Sequence, residues 1–251
     1  MPLYRAELLT LKKPLYGAML HDVSQVLYLP FDMDDGSWAR DRSGYNNHGI
    51  IYGAQRTAGK IGSALSFDGV DDYAVIEPFT VYGWEEITIA EWVYAFHPKP
   101  NASWSKFSMI GDPWVDRPAM YHVTNNYEEY TWVQAEFRTR KPDGTSRVYS
   151  YNWFNYRNSW VHIVRRFTKD REYSVWINGE KKYSAKIPAN EITVLEWNPD
   201  NATYPELYRR FVLGASSQCH EWMKCLNDEV RIYNRALSEA EIKRLMYMRG
   251  L

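Results

Sequence analysis

The sequence lacks any apolar run approaching the ~18 residues that a membrane-spanning helix requires, so no span is expected. Charge of one sign is not in excess either. Lys and Arg total 30 against 31 Asp and Glu, a formal net charge of -1, and no long-range field draws in nucleic acid or an anionic membrane. Cysteine is scarce. Cys219 and Cys225 flank the run His220 to Lys224 and form neither a Cys-x-x-Cys motif nor a Cys/His zinc spacing. The pair can close a small loop as a disulfide or remain as thiols. A Gly-x-Ser-x-Gly elbow, a His-Glu-x-x-His helix and a phosphate-cradling glycine loop are all missing, which removes the key residues of the commonest hydrolases and nucleotide enzymes. The first 22 residues carry Lys12 and Lys13 in their middle and no sustained apolar core, so they give no recognisable signal peptide.

Aromatic residues, by contrast, are abundant. They form 16% of the chain, with 11 Trp and 20 Tyr, a surplus suited to pleated surfaces and stacking platforms. The organising stretch is Gly59 to Glu77. Ala64, Ser66 and Asp68 alternate with Leu65, Phe67 and Gly69, the pattern breaks at Val70-Asp71-Asp72, and it resumes at Tyr73, Val75 and Glu77. That spacing predicts two short strands around an acidic turn. From Ile87 to Phe96 apolar residues fill both parities, as in a strand buried on both faces or one crossing between sheets, and Trp92 falls in the core. Lys141 to Gly144 and Trp176 to Gly179 read as hairpin turns, and Asn46 to Gly49 as a turn needing positive φ. Near the C-terminus Ser238 caps a helix with Glu241 as its capping-box partner, Leu237 and Ile242 staple it, and Gly250 marks its end.

These segments carry a resemblance. The stretches Leu27 to Ala54, Gly59 to Glu77, Ile87 to Tyr94, Trp160 to Phe167, Tyr173 to Tyr183 and Leu226 to Met246 resemble, in order, the laminin-G-like domain of the concanavalin A-like lectin/glucanase superfamily. The match is weakest between His97 and Ser159. It implies an all-β fold, a two-sheet antiparallel jelly-roll sandwich over residues 26–251 with a short C-terminal helix, preceded by an N-terminal arm over residues 1–25. The apolar content of that arm suggests that it covers a sheet edge or joins copies of the chain. The family is mostly displayed outside cells, which implies extracellular, cell-surface or virion placement and favours a Cys219–Cys225 disulfide.

The glucanases of this fold carry paired carboxylates as Glu-x-Asp-x-x-Glu or Glu-x-Asp-x-Glu on one strand, and no Glu here is followed two residues later by Asp. The resemblance therefore implies a non-catalytic module that recognises a glycan or glycoprotein, with a self-assembling structural subunit as the alternative and a divergent glycoside hydrolase as a more distant one. Trp104, Trp114, Trp153 and Tyr156 are the candidates for stacking on sugar rings. Many relatives hold calcium, and Asp68, Asp71 and Asp72 with Asp228 are the candidate oxygen ligands, Asp32 and Asp34 weaker ones. The same aspartates also suit simple turn-capping. Arg138, Arg140, Lys141 and Arg147 form a basic hairpin, read as a solvated surface before an anion site. The sequons at Asn101 and Asn201 predict surface loops.

Overall fold

The computed structural model describes residues 22–33, 35–96, 105–114, 118–127, 130–153 and 158–248, the side chains of 124–127, 130–132 and 153 excepted. Strands follow one another as β1 (Gln25–Leu29), β2 (Trp38–Ala39), β3 (Gly49–Tyr52), β4 (Gln55–Ala58), β5 (Ser63–Asp68), β6 (Tyr73–Ile76), β7 (Ile87–Ala95) and β8 (Ser105–Gly111). The second half adds β9 (Ala119–Tyr127), β10 (Tyr130–Arg140), β11 (Ser146–Trp153), β12 (Trp160–Phe167), β13 (Glu172–Ile177), β14 (Glu180–Lys186), β15 (Phe211–Leu213), β16 (Lys224–Tyr233) and the helix α1 (Glu239–Leu245).

They form the expected two-sheet antiparallel jelly-roll sandwich. Sheet A runs β14-β13-β12-β7-β16-β5-β4, with β1 also paired to β16, and sheet B runs β11-β10-β9-β8-β15-β6-β3-β2. The sandwich begins at Gln25, which pairs with Tyr233. Asp22 and Ser24 fasten the chain just before it to Arg235; the rest of the expected arm, residues 1–21, lies outside the described residues. The segment of weakest resemblance builds β8 to β11, a meander that widens sheet B on one side.

Period-two alternation places Leu65, Phe67, Ile89, Val93, Ile163 and Val175 of sheet A against Ile76, Phe107, Ile110, Ala135, Phe137 and Phe211 of sheet B in one continuous core. Strand β7 is apolar on both parities because both its faces are covered. Its outer residue Ala90 lies with Val164, Trp176 and Tyr233 beneath Leu237, just before α1, and Ile242 and Leu245 of α1, and Trp92, only 4% exposed, lies under the Lys60 ammonium, 4.8 Å from its ring centroid. The helix has its capping box, Ser238 and Glu241 exchanging bonds, and it ends at Leu245, a turn before the expected Gly250, which lies outside the described residues. The β13–β14 turn has Asn178 and Gly179 both at positive φ, 49° and 78°, the conformation that a right-twisted two-residue hairpin demands. A Cβ on Gly179 would meet Met246 Sδ at 2.8 Å and Lys243 Cγ at 3.3 Å, so the hairpin tip lies directly beneath α1.

The core is crossed by one polar cluster. Glu91, at the middle of β7 and fully buried, receives Arg165 Nη2 at 2.9 Å, Ser108 Oγ at 2.6 Å and Asn227 Nδ2 at 2.8 Å, and His122 Nδ1 stands 2.7 Å from it. Arg165 and Asn227 belong to sheet A, Ser108 and His122 to sheet B, so a single carboxylate links the sheets. Burial pushes the Glu91 carboxyl up, but His122, Arg165 and Ser108 together pull it down to about 2. Burial, helped by Arg165 and opposed by Glu91, lowers the His122 imidazole to about 4.

Removing the carboxylate leaves Arg165 buried without its counter-charge, so Glu91→Ala is expected to cost about 3–5 kcal/mol in urea unfolding. The pH dependence has a fixed sign. The unfolded Glu91 takes a proton below its ordinary 4.5 while the folded one holds out to about 2, and the unfolded His122 protonates below 6.5 while the folded one resists to about 4. Both contributions to stability therefore shrink as pH falls, His122 first between 6.5 and 4 and Glu91 then between 4.5 and 2. A Glu91→Ala protein with a wild-type urea midpoint would show that the cluster contributes nothing.

Candidate functional site

On the outer face of sheet B a single cross-strand row runs Trp38, Ile50, Val75, Val212, Met109, Tyr121, Glu136 and Ser150, set by successive pairings from β2 to β11. Its middle is covered: Val75, Val212 and Ala215 cluster with Tyr73 and Trp222 against them, and Ser217 N–H points at Met109 Sδ, 3.3 Å away. At the β8–β10 end the row becomes charged and aromatic. The Tyr121 hydroxyl donates to Glu136, Arg138 Nη2 reaches the same carboxylate at 3.4 Å, and Arg138 Nη1 bonds Pro113 O at 3.3 Å.

Trp114 lies over this corner. Its ring is 52% exposed, and Lys106 Nζ sits 5.7 Å from its centroid and 5.4 Å from that of Tyr121. Two acceptors fix the loop that carries it: buried Asp112 takes Trp114 N–H on Oδ1 at 2.8 Å and Gln218 Nε2 on Oδ2 at 3.4 Å. Lys106, 1% exposed, pairs with Glu221 at 3.2 Å, and burial lowers its ammonium despite that partner. The result is a pre-set aromatic platform whose surrounding charges already have partners. What the surface offers outward is the exposed Trp114; Lys106, Tyr121, Glu136 and Asp112 beneath it are buried.

Of the four expected stacking residues, Trp114 alone is described with its side chain. Trp104 and Tyr156 lie outside the described residues; Trp153 pairs through its backbone with Val133 at the far end of β11, and its side chain is outside them too. The basic hairpin is a set of pairs, as the solvated-surface reading expects. Arg147 meets Glu191 at 2.8 Å, Lys141 meets Asp143 at 3.7 Å and Arg140 lies 5.0 Å over Trp197. Asn201 is exposed, at the end of a short 3-10 helix (Pro199–Asn201) rather than in the expected loop, while the Asn101 sequon lies outside the described residues. Sequence reasoning missed Glu91, Lys106 and Asp112, charged residues that belong by burial to the interior, although the parity of Glu91 within an otherwise apolar strand marks it.

The acidic candidates divide into two places. Asp68, Asp71 and Asp72 bring one carboxylate oxygen each within 4.8 Å of one another, while two of them also cap the turn: Asp72 Oδ2 accepts Asp68 N–H and Asp68 Oδ1 accepts Val70 N–H. Burial, opposed by that Asp68 amide and reinforced by Asp68 and Asp71, raises the Asp72 carboxyl. Three converging hard oxygens fit a divalent cation. Asp228 does not join them. It lies further along β16, paired with Trp92, and its Oδ2 accepts Ile61 N–H at 2.9 Å from the turn between β4 and β5. Asp32 is bound to the same part of the chain through Ser63 N–H at 2.8 Å, and Asp34 lies outside the described residues.

The expected disulfide is not formed: both cysteines are free. Cys225 points from β16 into the core, with Sγ 3.3 Å from Asn227 Oδ1. Cys219 sits at φ 57° in the loop over sheet B, 3.9 Å from Arg210 Nη1. One thiol belongs to the interior and the other is partly exposed in the loop before β16.

A family model described as the concanavalin A-like lectin/glucanases superfamily, laminin-G type, matches residues 68–243. A comparison with curated protein sequences finds no match. Among solved structures, the botulinum neurotoxin serotype D binding domain superposes with a TM-score of 0.64 at 14% identity, covering 89% of this chain and 51% of that one. The binding domain of Paraclostridial Mosquitocidal Protein 1 gives 0.62 at 16%, covering 91% and 52%. The serotype D ligand binding domain in complex with N-acetylneuraminic acid gives 0.64 at 14%, covering 89% and 50%. At such identities the likeness is one of fold, and this chain spans about half the length of each of those chains.

Asp228 supplies a test of the corrected assignment. Burial drives its carboxyl up to about 7, Glu229 adding to the rise against the pull of Ile61 N–H, and Oδ1 has no partner. A raised carboxyl favours the folded state where that state alone is protonated, so this contribution is largest below the ordinary 3.8 and is lost as pH climbs through about 7. Asp228→Asn should therefore be more stable than wild type above pH 7, with the gain vanishing toward pH 4. Urea midpoints shifted equally at all pH values would contradict the buried-carboxylate account.

Proposed function

We propose a function from one fixed point: this chain belongs to the laminin-G-like family of the concanavalin A-like lectin/glucanase superfamily, and within it the chain is a non-catalytic recognition module for a glycan. The observation that carries the reading is Trp114, half exposed above a buried set of charged and aromatic side chains, in a loop whose backbone N–H is held by Asp112. A sugar ring presents C–H groups to such a face and hydroxyls to its polar rim, and pre-positioning the ring lowers the entropy cost of binding. The missing Glu-x-Asp pair supports recognition without bond cleavage. Display outside the cell is part of the same reading; among the described residues no helix is long and apolar enough to cross a membrane.

The test is a glycan array probed with the full chain, followed by titration calorimetry on the best hit. Trp114→Ala should abolish binding and leave the melting temperature unchanged, since the ring is largely outside the core. An array without hits, or a hit that binds Trp114→Ala equally well, sinks the proposal.

Calcium belongs to the reading as a structural ion held by Asp68, Asp71 and Asp72, without Asp228. At a hundredfold excess over its Kd, an ion that binds only the folded state adds about 2.7 kcal/mol of stability. Calcium should therefore raise the melting temperature, a chelator should reverse the rise, and Asp71→Asn should blunt it. A melting curve indifferent to calcium and chelator, with no heat of binding, would leave the three aspartates as turn-capping groups.

A further inference from the structure

Four of the strands at the sheet margins are blunted against further pairing. β2 has two residues and β4 four, with Arg56 of β4 donating to Gly36 O and Trp38 O. In β1 the Tyr28 N–H is taken by Asp41 and the Tyr28 carbonyl by Arg42 N–H, and β14 carries Lys181, Lys182 and Lys186. β11 is the exception. It runs for eight residues, Ser146–Trp153, with Arg147 as its one charge, and among the described residues it pairs with β10 alone. We propose that this edge is an interface for a second copy of the chain, two β11 strands pairing antiparallel so that the two B sheets become one.

The β10–β11 turn fixes which backbone groups point outward. Lys141 N–H donates to Thr145 O at 2.8 Å, and alternation along an antiparallel pair then gives Arg147, Tyr149 and Tyr151 to the β10 ladder and aims the N–H and C=O of Ser146, Val148, Ser150 and Asn152 away from it. A second β11 related by a two-fold axis through Tyr149 sets Ser146 against Asn152 and Val148 against Ser150, each twice over, so that all the outward groups are matched in about eight backbone hydrogen bonds. Opposed residues share parity, so inner faces inward and outer faces outward in both copies. Charge does not oppose the contact. Arg147 falls opposite Tyr151 rather than its own copy, its guanidinium is already held by Glu191 at 2.8 Å, and a net charge of -1 leaves no long-range repulsion between copies. The edge is also ordered in advance: Glu191 accepts the Thr139 and Tyr149 hydroxyls at 2.6 and 2.9 Å, which fastens β10 and β11 from the inner side and lowers the entropy cost of docking. Five strand spacings of about 4.8 Å then set the two β9 strands roughly 24 Å apart, with both Trp114 rings on one side of the dimer. A ligand with repeated units could engage both, a consequence that, unlike the pairing itself, rests on the recognition role of Trp114.

Sedimentation of the full chain over a wide concentration range should show a monomer–dimer equilibrium. In hydrogen exchange the amides of Val148, Ser150 and Asn152 should slow as the dimer fills, while those of Arg147 and Tyr149, already in the β10 ladder, should not change. Val148 is 41% exposed, so Val148→Lys should blunt the edge without disturbing the fold and weaken the dimer at least about tenfold. Ser150→Pro, which removes an N–H that β10 does not use, should weaken it too, and Trp114→Ala should dimerise as the wild type does. The interface is overturned if the chain is monomeric throughout, if a dimer survives both edge variants, if Trp114→Ala dissociates it, or if the protected amides belong to another strand.

Discussion

Everything in this sandwich turns on a carboxylate placed where water cannot reach. Glu91 occupies the inner face of the central strand of sheet A, and four side chains from both sheets converge on it. Apolar side chains hold two sheets together without fixing how far one slides over the other, because dispersion and burial are nearly indifferent to direction. Hydrogen bonds are not indifferent. Ser108 from β8 and Asn227 from β16 meet the same carboxylate only at one relative setting of the sheets, and Arg165 supplies the charge that makes its burial tolerable. A buried network of this kind narrows the settings the two sheets can take, although Arg165 Nε and Nη1 find no partner in it, and the outer faces inherit their geometry from it. Met109, the residue after Ser108, and Tyr121, the residue before His122, face outward into the row that ends under Trp114.

The two outer faces have opposite fates. That of sheet A is closed by α1 over Ala90, Val164 and Trp176 and by Lys60 over Trp92. On sheet B, Met109, Tyr121 and Glu136 are buried as well, and Trp114 is left half exposed at the wider end where the β8–β11 meander lies. The candidate recognition surface thus lies on the segment where the sequence resemblance is weakest, as expected when a shared scaffold carries differing sites.

Much of the scaffold was legible in the sequence because it is written in local terms. Alternation at Ala64 to Phe67 gave β5; positive-φ residues gave the turns at Asn46 and at Asn178-Gly179; and the Ser238 and Glu241 pair gave the cap of α1. The double parity of Ile87 to Phe96 was correctly a strand covered on both sides. What sequence could not supply was which distant acids meet. Asp68 and Asp228 both sit beside β-turn chemistry, yet antiparallel register along β16 aligns Asp68 with Lys224 and Asp228 with Trp92, and nothing short of that register separates them. The cysteines failed for the same reason. Cys219 and Cys225 are six positions apart in the chain, but strand parity turns one inward while a left-handed loop residue leaves the other outside. Trp114 was found by its residue type; its partners Lys106 and Asp112 were not, since charge normally signals the surface.

The contact between Gly179 and the last turn of α1 bears on how this domain can be altered. Hairpin tips are ordinarily the places where a chain accepts extra residues, but here any enlargement of the β13–β14 tip lifts Met246 and Lys243 and uncovers the apolar patch that α1 shields. The tip and the helix must therefore vary together through descent or design. The β10–β11 tip has no such tether: a Cβ on Gly144 meets only Arg140 Nη2, at 3.9 Å. A reporter, an affinity handle or a second domain belongs in that loop, where it would project from the edge of sheet B and leave the helical lid undisturbed.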